Sequence, residues 1–173
     1  MKTWLSEIDT ALYFLLFKPE RSLIVRQLAL GLSKTGNGGM YALLSIGLAY
    51  LSPERGGELL ALTLLGFAIE RPVYFLCKHF IGRIRPCDYL GQVAFLTPSD
   101  RFSLPSGHSA GAFLFATLWS VSFPPLAGTL YLWACGVALS RVVVGVHYPL
   151  DIVAGALLGL GCAELALFIQ GNA

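Results

Sequence analysis

Charge is scarce in this sequence. Asp, Glu, Lys and Arg make up 13% of its 173 residues, where an ordinary globular domain carries about 25%. With 55% hydrophobic residues and a mean hydropathy of +0.68, the chain has neither the polarity of a disordered segment nor the surface of a typical soluble enzyme. Twelve Lys and Arg against ten Asp and Glu leave a net charge of +2. That surplus is too small for a nucleic-acid footprint. The sequence also lacks repeats, low-complexity tracts and linkers, and its length suits one domain. Cys77, Cys87, Cys135 and Cys162 have no C-x-x-C spacing, so they read as packing residues rather than a zinc site, with a Cys77–Cys87 pair across the polar loop as the alternative in an oxidising compartment. Glu7 and Asp9 interrupt the first apolar run, and no cleavable signal peptide is expected.

Long apolar runs are abundant. Residues 58–80, 106–123, 125–144 and 149–169 approach or reach the roughly 20 residues that a helix needs to cross a bilayer. Residues 37–52 form a shorter fifth candidate. In the first 35 residues, Trp4, Leu5, Ile8, Leu12, Leu15 and Leu16 recur at helical spacing, and Arg21, Arg26 and Lys34 accompany Leu23, Ile24, Leu28 and Leu32. Such mixed segments suit the membrane interface. The expectation is an all-α, polytopic transmembrane bundle of five spans, with six as the alternative, preceded by amphipathic N-terminal helices. Residues 1–173 then form a single domain, with interfacial helices over 1–35 and the bundle over 37–169.

The longest break in hydropathy, residues 81–105, is rich in Gly, Pro, Arg and Asp. Connections of that length are often functional. Counting spans forward places Lys78, Arg83, Arg85, Arg101, Ser106, His108, Arg141, His147 and Asp151 on one membrane face. The opposite turns, Pro53-Glu54-Arg55 and Phe123-Pro124-Pro125, carry almost nothing. Ionisable residues at a bilayer are functional candidates by default. Several cations without matching acids point to an anionic ligand, and phosphate is the obvious one. Ser106 is a favoured N-cap for an uncharged helix, whose first N–H groups attract anions, and Gly107 permits close approach. Arg85 and Arg141 offer forks for phosphate oxygens and Lys78 a point charge. Pro149 suits the first position of a helix, from which Asp151 can reach back to the His147 imidazole.

Each residue alone has a plainer role. Ser106 would be a cap, Arg141 a snorkelling residue, and Asp151 a first-turn acid. Arg83 and Arg101 read as solvated loop charges, and His79 as an interfacial residue at a helix end. Glu70 and Arg71 read as neutralising one another or a neighbouring helix, with a supporting role for Arg71 as the alternative, and Glu164 as a structural polar contact or a protonated acid. Co-location of the set is what favours function.

Lys78-x6-Arg85-Pro86, Pro105-Ser106-Gly107-His108 and Ser140-Arg141-x5-His147-x3-Asp151 together resemble the three signature motifs of the type-2 phosphatidic acid phosphatase superfamily. The resemblance implies an integral membrane lipid phosphatase that needs no metal and no other cofactor. It implies that His147 attacks phosphorus, that Asp151 orients it, and that His108 protonates the leaving oxygen and later activates water. Lys78, Arg85, Arg141, Ser106 and Gly107 would hold the phosphate oxygens. Neutral His147 and protonated His108 would give a bell-shaped pH profile. The implied partners are a lipid phosphate in the bilayer and the surrounding membrane lipids, with no nucleic acid. Undecaprenyl pyrophosphate is the preferred substrate expectation, and phosphatidylglycerophosphate, phosphatidic acid and lipid A are the alternatives. A vanadium-dependent haloperoxidase is disfavoured by hydropathy and a non-catalytic lipid-binding or transport protein by the intact His108, His147 and Asp151. A metal-dependent hydrolase is disfavoured by the absence of an H-E-x-x-H pair. The resemblance implies a multi-pass protein of the cell (inner) membrane with an extracytoplasmic site. The count of loop Lys and Arg favours the cytoplasmic side instead; the expectation here follows the resemblance.

Overall fold

The structure is a computed structural model in which residues 4–98 and 100–171 are described. Residues 1–3, Ser99 and residues 172–173 lie outside the described residues, so the expected N-terminal helix is described from Trp4 onward. Eight α-helices are seen among the described residues: α1 (Trp4–Leu16), α2 (Leu23–Thr35), α3 (Gly38–Leu51), α4 (Pro53–Ile81), α5 (Pro86–Leu90), α6 (Gly107–Ser122), α7 (Ala127–Val143) and α8 (Pro149–Gly171). A single 3-10 turn, Pro124–Leu126, leads into α7.

Local chemistry sets the helix ends. Ser22 caps α2 by accepting a hydrogen bond from the Val25 N–H at 3.5 Å. Pro53 opens α4 and Pro149 opens α8, positions where a missing N–H costs nothing. Helix α4 stops at Gly82, whose N–H donates to the Lys78 carbonyl at 3.1 Å.

The bundle is a polytopic, all-helical membrane fold. Three helical segments, Pro53–Ile81, Pro124–Val143 and Pro149–Gly171, are long and apolar enough to cross a membrane. Helices α3 and α6 pack beside them and are shorter. The expected start of the second span moves back from residue 58 to Pro53, because Pro53 and Glu54 suit a first helical turn. Outward faces carry Leu43, Leu51, Phe75, Leu132, Leu157 and Phe168, all exposed within the isolated chain. A bilayer covers such a surface, whereas a soluble monomer rarely shows one.

The interior is built on close helix approach. Gly155 and Gly159 lie one turn apart on α8, where a Cβ would strike the carbonyl oxygens of Ser106 and Ala110. Small residues four apart bring two helix backbones together in lipid. That crossing seats the start of α8 against the start of α6. Leu59, Leu62, Leu114, Leu118, Cys162, Ala163 and Ala166 fill the space among α4, α6 and α8. Tyr13 and Phe17 bind the α1 region to Ala138, Val142, Tyr148 and Ile152.

The span-counting argument holds. The end of α4, the start of α6, the end of α7 and the start of α8 converge on one side. At the other end, Arg55 donates to the Ser122 carbonyl at 2.7 Å and lies over the Phe123 ring, joining the two sparse turns.

Candidate active site

Lys78 is delivered by the last turn of α4 and is buried. Its Nζ donates at 2.5 Å to Asp100 Oδ1 and to the Phe102 carbonyl. Arg85 immediately precedes Pro86 of α5 and is 2% exposed. Its Nη2 donates to the same Asp100 oxygen at 2.7 Å, and its Nε to the Asp100 carbonyl at 2.9 Å. Tyr74 adds a hydroxyl donor to Asp100 Oδ2 at 2.9 Å. Burial alone would push the Asp100 carboxyl up, but the bonds and charges of Lys78 and Arg85 outweigh it and hold the group at about 2. One carboxylate therefore ties two motif cations together.

The third Arg85 nitrogen leads to the histidine. Arg85 Nη1 donates to the Val146 carbonyl at 2.7 Å and lies 3.3 Å from His147 Nε2. A guanidinium can only donate, so Nε2 keeps its lone pair and the ring proton sits on Nδ1. His147 Nδ1 in turn lies 3.5 Å from Asp151 Oδ2, longer than a well-formed hydrogen bond. His147 is buried in the loop between α7 and α8. Desolvation lowers its pKa to about 4, with Arg85 pushing the same way and Asp151 opposing. The imidazole is neutral at pH 7, with its lone pair turned toward a guanidinium.

Asp151 is fixed from several directions. Its Oδ2 accepts from the Tyr148 N–H and its Oδ1 from Arg83 Nη1, both at 2.8 Å. Its carbonyl accepts from the Ser106 N–H at 2.9 Å, which joins the second motif to the third. Arg83 corrects the reading of a solvated loop charge. Its other arm, Nη2, donates to Asp9 Oδ2 at 2.6 Å, and Asp9 Oδ1 accepts from the Leu150 N–H at 2.9 Å. Arg101 does remain an exposed loop residue, over the Phe102 ring.

Ser106 caps α6, its Oγ accepting from the Ser109 N–H at 3.4 Å. Gly107 follows in contact with the Tyr74 ring, where a Cβ would fall 2.9 Å from a ring carbon. His108 stands in the first turn, with Nε2 at 2.9 Å from Asn37 Oδ1. It lies within electrostatic reach of His147, Arg85 and Arg141. Arg141, buried near the end of α7, donates to Ser33 Oγ at 2.5 Å and interacts electrostatically with Arg85 and Asp100.

The structure thus gathers Lys78, Arg85, Ser106, Gly107, His108, Arg141, His147 and Asp151 at one end of the bundle. Sequence reasoning missed Asp9, Ser33, Asn37, Tyr74 and Asp100. Two of these left a trace, since Asp9 interrupts an apolar helix and Asp100 is an acid within a basic loop. Ser33 and Asn37 left none.

A helical membrane bundle that gathers a buried imidazole, a carboxylate beside it and the cations Lys78, Arg85 and Arg141 at one end defines the class of this protein as a polytopic membrane protein with a polar site at one end. The chain belongs to the PAP2 superfamily, which its residues 39–173 match. Undecaprenyl-diphosphatase of Sulfolobus acidocaldarius is 30% identical over 115 residues, covering 62% of this chain and 53% of that protein. Lipid A 1-phosphatase of Rhizobium etli is 35% identical over 89 residues, covering 49% of this chain and 38% of that protein. The chain spans about half the length of these curated relatives, or less. The crystal structure of Aquifex aeolicus LpxE superposes with a TM-score of 0.81 at 28% identity, covering 92% of this chain and 94% of that one.

Proposed function

We propose that this chain is an integral membrane phosphatase that removes phosphate from a lipid phosphate or pyrophosphate through a phosphohistidine intermediate. The observation that carries the reading is the placement of the buried His147 ring, with Nε2 3.3 Å from Arg85 Nη1 and Nδ1 3.5 Å from Asp151 Oδ2. In the first step Nε2 forms the N–P bond as the P–O bond to the leaving group breaks, and His108 gives that oxygen a proton. In the second step His108 takes a proton from water, the water oxygen bonds to phosphorus, and the N–P bond breaks to release inorganic phosphate. Lys78, Arg85 and Arg141, with the first N–H groups of α6, balance charge on the transferring oxygens. Phosphoryl transfer asks mainly for positioning and charge stabilisation. Three fixed cations supply that charge without a metal ion.

The favoured substrate is undecaprenyl pyrophosphate, which the likeness to an undecaprenyl-diphosphatase supports. A lipid A phosphate is the second reading, supported by the likeness to a lipid A 1-phosphatase. We place the site on the extracytoplasmic face of the cell membrane. Pairing of Arg83 with Asp9 and Asp151 removes it from the surplus of loop cations that argues for the opposite face. A single reporter cysteine within residues 88–100, in an otherwise cysteine-free chain, should react with an impermeant reagent in intact cells. Labelling only after permeabilisation overturns that placement.

The activity is tested by phosphate release from purified protein in EDTA, across undecaprenyl pyrophosphate, phosphatidylglycerophosphate, phosphatidic acid and lipid A. Release from undecaprenyl pyrophosphate in excess of the others is the expected result. No release from any of them overturns the reading, and release abolished by EDTA overturns the metal-free mechanism.

A further inference from the structure

Beside His108 the helices border a half-open pocket of about 210 Å³ lined by Asn37, Tyr41, Phe67, Arg71, Tyr74 and His108. It meets the phosphate site through Gly107 and His108. In an in-line displacement the nucleophile and the leaving oxygen lie on opposite sides of phosphorus. With His147 attacking and His108 protonating, whatever lies beyond His108 is the leaving group.

Arg71 gives this cavity a charge. It sits seven residues before Lys78 on α4, about 10 Å along the helix at 1.5 Å per residue. Its guanidinium stacks on the Tyr74 ring, 4.7 Å from the centroid, and lies within electrostatic reach of His108. Buried Glu70 accepts from Nε and Nη2 of Arg71. Among the described residues Nη1 makes no hydrogen bond, and the side chain is 40% exposed. Glu70 and Tyr74 thus fix the guanidinium while one edge remains for a ligand. Glu70 offsets much of the cost of placing an arginine this far along a membrane helix, and the uncovered edge is left to water or to an anionic ligand.

We infer that this cavity is a leaving-group subsite, in which Arg71 binds the second phosphate of a lipid diphosphate. The inference rests on the phosphatase reading and names its substrate class. Cleavage of a diphosphate breaks the bond between the terminal phosphorus and the bridging oxygen. The leaving group is then a lipid monophosphate whose remaining charge Arg71 offsets. Cleavage of a lipid monophosphate releases an alcohol, which gives Arg71 nothing to hold. Arg71 therefore discriminates between the two classes, while Lys78, Arg85 and Arg141 serve both.

The test uses the full chain in detergent micelles with farnesyl diphosphate and farnesyl monophosphate as probes, and inorganic phosphate as a competitive inhibitor. Arg71→Met should lower kcat/KM for the diphosphate on the order of tenfold or more, the scale of a lost charge-assisted hydrogen bond. Turnover of the monophosphate and the inhibition constant of inorganic phosphate should stay within twofold. A parallel loss on all three measures, or no loss on the diphosphate, overturns the inference. A wild-type chain that prefers the monophosphate also overturns it.

Arg71→Met strands the Glu70 carboxylate, so the double variant Glu70→Gln with Arg71→Met guards against misfolding. It should fold and still lack the diphosphate preference. Recovery of that preference would show that Arg71 serves only Glu70, and the inference falls. Wild-type protein that releases phosphate from neither probe nor any lipid tested overturns the phosphatase reading itself, a result distinct from indifference to Arg71.

Discussion

Arg83 donates to Asp151 at 2.8 Å with one arm and to Asp9 at 2.6 Å with the other, so helix α1 reaches the carboxylate behind the candidate nucleophile. Asp9 is buried and also holds the Leu150 N–H, in the first turn that carries Asp151. These two residues act through Asp151 and do not meet the reacting atoms. Asp9→Asn should lower kcat by about tenfold, at the low end of the scale seen when an outer hydrogen-bond partner of a metal-bound histidine is removed. KM should change little, because the phosphate cations are untouched. Steady-state kinetics that show a change confined to KM would contradict this positioning role.

Asp100 pairs with both Lys78 and Arg85 and offsets one of their two charges. Asp100→Ala leaves two buried cations facing one another, a state that an added anion relieves. Inorganic phosphate should therefore raise the thermal midpoint of Asp100→Ala in detergent by more than it raises that of the wild type, since stabilisation by a ligand grows with the logarithm of its affinity for the folded state. Differential scanning fluorimetry against phosphate concentration reads this directly. A smaller shift in the variant would mean that Asp100 helps to bind phosphate.

The pH dependence follows from His147. Burial depresses its pKa from the ordinary 6.5 to about 4. Attack needs the lone pair, so the acid limb of kcat/KM should have its midpoint near 4 once the substrate's own ionisation is divided out. The same shift bears on stability. The unfolded chain takes up this proton near 6.5 and the folded chain resists it until about 4. The contribution is therefore complete above pH 6.5 and erodes as the pH falls toward 4. An acid limb centred at 6.5 would contradict the buried, neutral imidazole.

Much of this architecture is legible in the sequence for simple reasons. Apolar runs report spans, and span counting carries every motif residue to one end, which the pairing of Arg55 with Ser122 at the other end matches. Lys78, Arg85, His108, Arg141, His147 and Asp151 are visible because polar side chains stand out in an apolar chain. What lay hidden depends on contacts between distant segments. Arg83 looks like any loop cation until Asp9, 74 positions away, is seen against it. Ser33 and Asn37 are ordinary residues at a helix end and a turn, and only the packing of α2 and α3 beside α6 and α7 gives them partners. Arg71 is legible as half of a pair with Glu70, but the cavity it lines is built by α3, α4 and α6 together.

The central claim is tested most directly by trapping the intermediate. Wild-type protein mixed with a terminally radiolabelled lipid diphosphate and quenched in base within one turnover should carry an acid-labile, base-stable phosphoryl group, and peptide mapping should place it on His147. His108→Ala, which lacks the group that donates the proton and later activates water, should form and discharge that species on the order of a hundredfold more slowly or worse. His147→Ala should carry no label and release no phosphate. Phosphate release that persists in His147→Ala, or a label found on another residue, would contradict the account.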